Sequence, residues 1–223
     1  MHRNASASTL AAALLSALGI TPFSAQAASI TVTTIGDSGA SSDCTLRQAI
    51  VSVNAGAVAG TGCTYSGSFG TNDTINFDIG AFPNGGANTI ALAGSQLVIT
   101  AANLGIDASS NGNVTIDANH ASRVMLDSAR SGGALSLSHL TLRNGNATNT
   151  DCNSASGGSS AVRGGGICIP DANLTLESST LSGNSGANGG GIYTRFGSVT
   201  LTASSPTAWR MCRRSEGDRF ICD

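Results

Sequence analysis

The sequence predicts an all-β chain wound into a parallel β-helix, a solenoid with a coil period of about 25 residues and a short N-terminal strand and helix as its cap. Short pairs of aliphatic residues alternate with Gly, Asn, Ser and Asp from about residue 89 onward, as in very short strands. Gly-Gly-Gly-Ile at 164–167 recurs at 189–192, and Leu-Thr-Leu at 174–176 recurs as Val-Thr-Leu at 199–201, both 25 residues later. Such a repeat indicates stacked coils. An ordinary all-β sandwich is the alternative, but it gives no reason for the repeat.

The composition excludes several classes of protein. Charged residues make up 11% of the 223 residues, all eleven basic residues are Arg, and the formal net charge is −2. No basic stripe is available to neutralise phosphates, which excludes nucleic acid as a partner. The 40% of hydrophobic residues argues against disorder driven by charge. Two Glu and no Lys argue against the solvated faces of a helical bundle.

Residues 1–27 are predicted to be a cleavable signal peptide. His2 and Arg3 precede an apolar stretch at 9–20, and Ala-Gln-Ala at 25–27 supplies the small residues that a signal peptidase accepts. The apolar stretch is too short to span a bilayer comfortably, which disfavours the alternatives of a membrane anchor or a core helix. We expect cleavage after Ala27, no transmembrane segment in the mature chain, and a location that is secreted, extracellular or on the outer membrane surface.

Export lets the six cysteines oxidise and stay oxidised. Sequence proximity favours Cys44 with Cys63 and Cys152 with Cys168. Each bond would close a loop of under about 20 residues, worth about 3 kcal/mol in the chain-entropy model. No Cys-x-x-Cys pair and no His cluster is present, so no zinc site and no cofactor are predicted.

One helix is predicted between two strands in the N-terminal part of the mature chain. Alternating residues at 29–34 and the run at 74–78 predict the strands. Thr45 as N-cap and Gln48 three residues later form a capping box, and Gly56 is the predicted end. The helical residues that share one face at a spacing of three or four are Leu46, Ala49, Ile50 and Val53.

The segment around the predicted helix resembles a known motif. Asp-Cys-Thr-Leu-Arg-Gln-Ala-Ile at 43–50, followed by Val-Asn-Ala at 53–55, resembles the CSLREA motif found just after the signal peptide of large bacterial surface proteins. The match departs at Thr45 and Gln48, where that motif has Ser and Glu. Both changes keep the chemistry of the capping box.

The resemblance extends over about residues 29–203. Residues 73–77, 89–99 and 122–124 resemble the run that follows the CSLREA motif, and the later Gly-Gly-Gly-Ile units are similar to repeats of the polymorphic outer membrane protein type. The resemblance implies a right-handed parallel β-helix with the Cys44 segment as its cap, exported to the cell surface or medium. Proteins of this kind are described as surface or adhesin-like proteins, and the resemblance implies no reaction.

Three carboxylates are the candidates for a catalytic or metal site. Pectate lyases and polygalacturonases share the predicted fold class, and such sites use clustered Asp, often with Ca²⁺, and an Arg or Lys as base. The candidate residues, with the two nearest bases, are Asp107, Asp117, Asp127, Arg123 and Arg143. Carboxylates ten residues apart fall at successive corners of a coil of about 25 residues and point apart. We therefore predict that each caps a turn through its own backbone, with no catalytic, metal or cofactor role.

Other candidate residues carry less. His120 and His139 have no Ser or Cys partner in a recognisable frame, which predicts surface or packing positions. The glycine triplets are followed by no Lys-Ser or Lys-Thr, so they are not phosphate loops. Tyr193 and Phe196 are the candidates for a small carbohydrate-stacking platform.

The predicted organisation is a signal peptide at 1–27, an N-terminal cap with the CSLREA-like segment at 28–87, β-helix repeats at 88–203 and an atypical tail at 204–223. The tail contains the single Trp, four of the eleven Arg, and Cys212 and Cys222. Two explanations stay open for it. One is a basic segment with its own or an intermolecular disulfide. The other, which we favour, is a shifted reading frame that ends a longer surface protein early.

The predicted function is that of a secreted or cell-surface protein that is not an enzyme and contacts glycans or cell surfaces through its repeats. A polysaccharide lyase or hydrolase on the same scaffold is the alternative, and a truncated product with no function of its own is a third. Carboxylates aligned on one face would favour the enzyme, whereas scattered carboxylates would favour the binding protein. The sequence predicts no particular ligand and no oligomeric state.

Overall fold

The computed structural model describes most of the mature chain. The described residues are 26–38, 42–58, 60–70, 72–129, 132–147, 152, 163–186, 189–206, 211–214 and 220–222, with the backbone alone at 205–206, 211–214 and 220–222. All but the last two residues of the predicted signal peptide lie outside this set.

One α-helix and many short strands make up the described structure. In chain order the elements are β1 (Ser29–Val32), α1 (Leu46–Ala55), β2 (Tyr65–Ser66), β3 (Asp73–Phe77), β4 (Thr89–Ala91), β5 (Leu97–Ile99), β6 (Asn103–Asp107), a 3₁₀ turn (Ser109–Asn111), β7 (Val114–Asp117), β8 (Met125–Asp127), β9 (Ala134–Ser138), β10 (Leu140–Arg143), β11 (Ile167–Ile169), β12 (Asn173–Glu177), β13 (Thr180–Ser182), β14 (Ile192–Thr194), β15 (Val199–Thr202), β16 (Ser205–Pro206), β17 (Met211–Arg214) and β18 (Phe220–Cys222).

The strands form three sheets. The first sheet has seven strands in the order β15-β12-β9-β6-β3-β1-β2, the second has the order β16-β13-β10-β7-β4, and the third has the order β18-β17-β14-β11-β8-β5. From β3 onward a strand pairs in parallel with the strand three places further along the chain, so the chain visits the three sheets in turn. The antiparallel pairs are β1 with β2 and β17 with β18, at the ends of the first and third sheets.

The predicted fold class, a right-handed parallel β-helix with a coil period of about 25 residues, is wrong. The strands form three sheets with no closed solenoid, and the first sheet is mixed rather than purely parallel. Paired residues of the first sheet are 45 residues apart from Ile30 to Ile75, 31 from Ile75 to Ile106, 39 from Leu135 to Leu174 and 25 from Leu174 to Val199. The spacing of 25 holds only near the C-terminal end, where the Gly-Gly-Gly-Ile motif repeats. Longer connections before it break the period.

Aliphatic side chains of all three sheets share one core. In the first sheet, register places Ile30, Ile75, Ile106, Leu137, Leu176 and Leu201 in one inward file. The first five are at most 0% exposed, and only Leu201, in the edge strand, is partly exposed. Burying such a side chain contributes about 1.5–3 kcal/mol, so these files supply much of the stability of the sheets.

The predicted helix is confirmed. Thr45 Oγ1 accepts a hydrogen bond from the backbone N–H of Gln48 at 3.1 Å, and Gln48 Oε1 accepts one from Thr45 N–H at 3.0 Å, which completes the capping box. Gly56 ends the helix in the left-handed conformation, with φ of 64°. All four residues of the predicted face, Leu46, Ala49, Ile50 and Val53, are buried.

Two polar side chains fix the helix to the third sheet. Arg47 forms a bidentate ion pair with Asp37, at 2.9 and 2.8 Å, and donates to the carbonyls of Ser95 and Gln96 just before β5. Asn54, at the other end of the helix, donates to the carbonyl of Val98 at 2.8 Å and accepts from the backbone beyond β5. The helix therefore covers the β5 end of the core in a fixed orientation.

Two disulfides are present. Cys44 is bonded to Cys63, with Cα atoms 4.5 Å apart, directly before the N-cap of the helix. Cys152 is bonded to Cys168 of β11, with Cα atoms 5.8 Å apart. The first fixes the helix start to the segment before β2, and the second fixes Cys152 to the third sheet.

Replacing Thr45 by Ala tests the importance of the helix start. The change removes the acceptor for Gln48 N–H inside a buried site, and loss of such a cap costs about 1–2 kcal/mol. Urea denaturation with the disulfides intact should show this decrease in the free energy of unfolding. Val51→Ala, at a helical position that is 50% exposed, is the matched control and should change it by less than about 0.5 kcal/mol. Equal stabilities of wild type and Thr45→Ala would contradict the assigned role of the capping box.

Candidate functional site

The three candidate carboxylates lie on three different sheets. Asp107 ends β6 of the first sheet, Asp117 ends β7 of the second, and Asp127 ends β8 of the third. Each accepts a hydrogen bond from the backbone N–H two residues later, at 2.8, 2.9 and 2.8 Å respectively. The prediction that each caps a turn is confirmed, and the structure does not bring the three together.

Asp117 and Arg143 are the one candidate pair that the structure joins. Parallel pairing sets Arg143 of β10 beside Asp117 of β7, and Arg143 Nε lies 2.8 Å from Asp117 Oδ2. Asn144 Nδ2 donates to the same carboxylate at 3.0 and 3.2 Å. Burial alone would raise the pKa of Asp117, but hydrogen bonds from Asn119 N–H, Asn144 and Arg143 outweigh it and hold the pKa below its usual range. Asp117 is thus a charged residue whose acceptor sites connect two strands.

Asp127 points into the core. It pairs in register with Ile99 of β5 and is 2% exposed. Burial raises the pKa of this carboxyl to about 6, against the opposing effect of the hydrogen bond from Ala129 N–H. A residue enclosed in this way is not accessible to a polymeric substrate.

Arg123 is buried as well. Its guanidinium donates to the carbonyls of Arg163 and Gly164, at 2.8 and 2.7 Å, and to Gln96 Oε1. It is 0% exposed, and burial lowers its pKa to about 10. Arg123 therefore connects the segments before β5 and β11 and does not face solvent as a base would.

The two histidines occupy turns in the left-handed region, with φ of 58° for His120 and 55° for His139. His120 is exposed, and its backbone N–H donates to the carbonyl of Asn144 at 2.7 Å. His139 Nδ1 lies 3.0 Å from Ser138 Oγ. The sequence analysis assigned no Ser partner to either histidine, and for His139 this is wrong.

The predicted aromatic platform is not formed. Tyr193 is 0% exposed, with the Arg163 guanidinium 5.1 Å from its ring centroid. Phe196 is 69% exposed, and the guanidinium of Arg195 lies 4.4 Å from its ring centroid. Phe196 alone offers an aromatic surface, beside the start of β15.

The largest regular array of accessible polar groups lies on the outward side of the first sheet, which we call the polar face. It consists of two files of paired residues, Ser29, Thr74, Gly105, Ser136, Thr175 and Thr200, and Thr31, Asn76, Asp107, Ser138, Glu177 and Thr202. None of these residues is buried. Neighbouring strands are about 4.8 Å apart and alternate residues about 6.7 Å apart, so the face is about 24 Å long.

The most distinctive part of the polar face is centred on Ser138. Asp107 precedes it and Glu177 follows it in the same file, and His139 contacts its hydroxyl. Asp107 accepts from the N–H and the hydroxyl of Ser109, at 2.8 and 3.0 Å, whereas Glu177 is exposed. Sequence reasoning missed Ser138 and Glu177 because they are 31 and 70 residues from Asp107, distances that no 25-residue period relates.

The described residues include no group of three or more His, Cys, Asp or Glu that could hold a metal ion. Over the same residues, no helix has the length and apolarity needed to cross a membrane. The two disulfides indicate an oxidising, extracellular environment.

Comparisons of the chain with protein-family models, with curated proteins and with solved structures found no match. The resemblance to CSLREA-motif proteins and to polymorphic outer membrane protein repeats therefore stays a prediction.

Replacing Asp127 by Asn tests the inward position of this carboxyl. Its pKa is about 6 in the folded protein and 3.8 when unperturbed, so between these values the unfolded chain has lost a proton that the folded chain keeps. The wild-type free energy of unfolding should therefore fall as pH rises from about 4 to about 7, by up to about 3 kcal/mol from this residue.

The Asp127→Asn variant keeps an acceptor for Ala129 N–H but does not ionise. Urea denaturation at several pH values should therefore give a flatter stability profile for Asp127→Asn than for wild type. Asp107→Asn, on the outer surface, is the control and should follow the wild-type profile. Parallel profiles for wild type and Asp127→Asn would contradict the raised pKa.

Proposed function

We propose that this protein is an exported contact protein without enzymatic activity, which binds glycans or glycan-covered cell surfaces through the polar face. The observation that carries the proposal is the continuity of that face. Nine of its twelve residues are Ser, Thr or Asn, and the register aligns them over six strands. Hydroxyl and amide groups both donate and accept hydrogen bonds, which matches the hydroxyl groups of a polysaccharide.

The distribution of the carboxylates also supports a binding role. Asp107, Asp117 and Asp127 are scattered over three sheets and each is engaged in capping a turn. Asp117 is held by Arg143 and Asn144, and Asp127 is enclosed in the core. None of the three is left as an accessible partner for either of the others.

The charge of the polar face favours neutral glycans. Its only charged residues are Asp107 and Glu177, and it contains no Arg. A polyuronate would bring carboxylates against these two side chains, and like charges in proximity disfavour binding. We expect the protein to retain a neutral polysaccharide such as galactomannan more strongly than polygalacturonate.

Replacing Thr175 by Arg tests this function. Thr175 lies in the polar face between Ser136 and Thr200, and a long charged side chain there would cover both neighbours. The apparent Kd for galactomannan should rise at least tenfold, which corresponds to about 1.4 kcal/mol. Affinity electrophoresis at increasing galactomannan concentration provides the measurement.

Thr180→Arg is the matched control, because Thr180 is also half-buried but lies in β13 of the second sheet. It should leave galactomannan binding unchanged. Equal weakening by both variants, or retention of polygalacturonate in preference to galactomannan, would contradict binding through the polar face.

A polysaccharide hydrolase is the second candidate, and one observation favours it. Asp107 and Glu177 lie in the same file on either side of Ser138, so their Cα atoms are about 10 Å apart. The two carboxyl groups of inverting glycosidases are separated by about 6.5–9.5 Å. The side-chain hydrogen bonds that Asp107 already accepts from Ser109 weigh against this reading.

Incubation with galactomannan separates the two candidates. A contact protein should release no reducing ends above the buffer blank, for wild type and for Glu177→Gln alike. Release by wild type that is abolished in Glu177→Gln but kept in Asp78→Asn, whose carboxylate caps a remote turn, would replace the proposed function with the hydrolase.

A further inference from the structure

We infer that Cys212 and Cys222 form a third disulfide within the chain, which closes the hairpin of β17 and β18. The two strands pair antiparallel, and the register sets Cys212 directly opposite Cys222, Arg213 opposite Ile221 and Arg214 opposite Phe220. The inference rests on this backbone register and is independent of the proposed function.

The register satisfies the distance that a disulfide requires. Directly opposite residues of an antiparallel pair have Cα atoms about 4.5 or 5.5 Å apart, depending on whether they exchange hydrogen bonds. Disulfides span Cα separations of about 4.4–6.8 Å. Either kind of opposite pair therefore allows the bond without movement of the backbone.

The other four cysteines are not available to Cys212. Cys44 is bonded to Cys63 and Cys152 to Cys168. Cys168 is the nearest of them in sheet register, because Cys168 pairs with Tyr193 and Tyr193 pairs with Cys212. Two strand spacings thus separate Cys168 from Cys212, about 10 Å, which exceeds the limit of about 7 Å for a disulfide.

The environment favours oxidation of the pair. The two disulfides already present indicate that the protein resides where thiols oxidise. Two opposite cysteines joined by only nine intervening residues meet at high effective concentration, since closing a short loop costs little chain entropy. The bond would hold β18 against β17, and β17 in turn pairs with β14 of the third sheet.

Peptide mapping without reduction tests the inference on the full chain secreted from an oxidising host. The monomer band of a non-reducing gel is alkylated and digested with trypsin, which cleaves after Arg210, Arg213 and Arg219. Cys212 then lies in a peptide of residues 211–213 and Cys222 in a peptide of residues 220–223. We expect these two peptides to be linked by mass and to separate on reduction.

Three results would overturn the inference. They are alkylated Cys212 and Cys222 in the monomer band, a link from either residue to a peptide containing another cysteine, and a chain that runs mainly as a covalent dimer without reductant. Thiol counting in denaturant gives an independent readout. Wild type should show no reactive thiol, Cys212→Ser one per chain, and Cys212→Ser/Cys222→Ser none; two thiols in wild type would overturn the bond.

Discussion

Parallel pairing in register is the interaction on which the rest of the structure depends. In the first sheet it sets isoleucine and leucine side chains of six strands in one buried file. Because side chains alternate across a strand, the same register sets the hydroxyl and amide residues on the opposite side. A slip of one residue would expose the aliphatic file and bury the polar one. The stability of the core and the order of the polar face therefore have one cause.

Polar groups that enter the core show how strongly this register constrains the chain. Asp127 occupies an inward position beside Ile99, although burial raises its pKa to about 6. Arg123 is enclosed, and the carbonyls of Arg163 and Gly164 accept its hydrogen bonds. Asp117, by contrast, lies where Arg143 and Asn144 reach it. Each of these side chains holds neighbouring strands or turns together, which is why the binding role proposed here relies on the polar face and not on them.

Features set by local chemistry could be predicted from the sequence, whereas those set by long-range register could not. The capping box of Thr45 and Gln48, the end of the helix at Gly56, and the turns capped by Asp107, Asp117 and Asp127 each depend on residues close in the chain, and all are observed. The organisation into three sheets was mispredicted, because connections of unequal length separate paired strands by 25 to 45 residues. For the same reason Ser138 and Glu177 were missed as neighbours of Asp107, and the burial of Tyr193 was not foreseen.

The central claim is that the polar face is the surface that contacts glycans. The most direct measurement is the change in backbone amide chemical shifts when a galactomannan oligosaccharide is added to isotope-labelled protein. We predict that the changes fall on the strands that carry the polar face, around Ser136, Ser138, Thr175 and Thr200, with little change in β7, β10 and β13 of the second sheet. Changes confined to the second sheet or to the turn at Phe196, or none at saturating oligosaccharide, would contradict the claim.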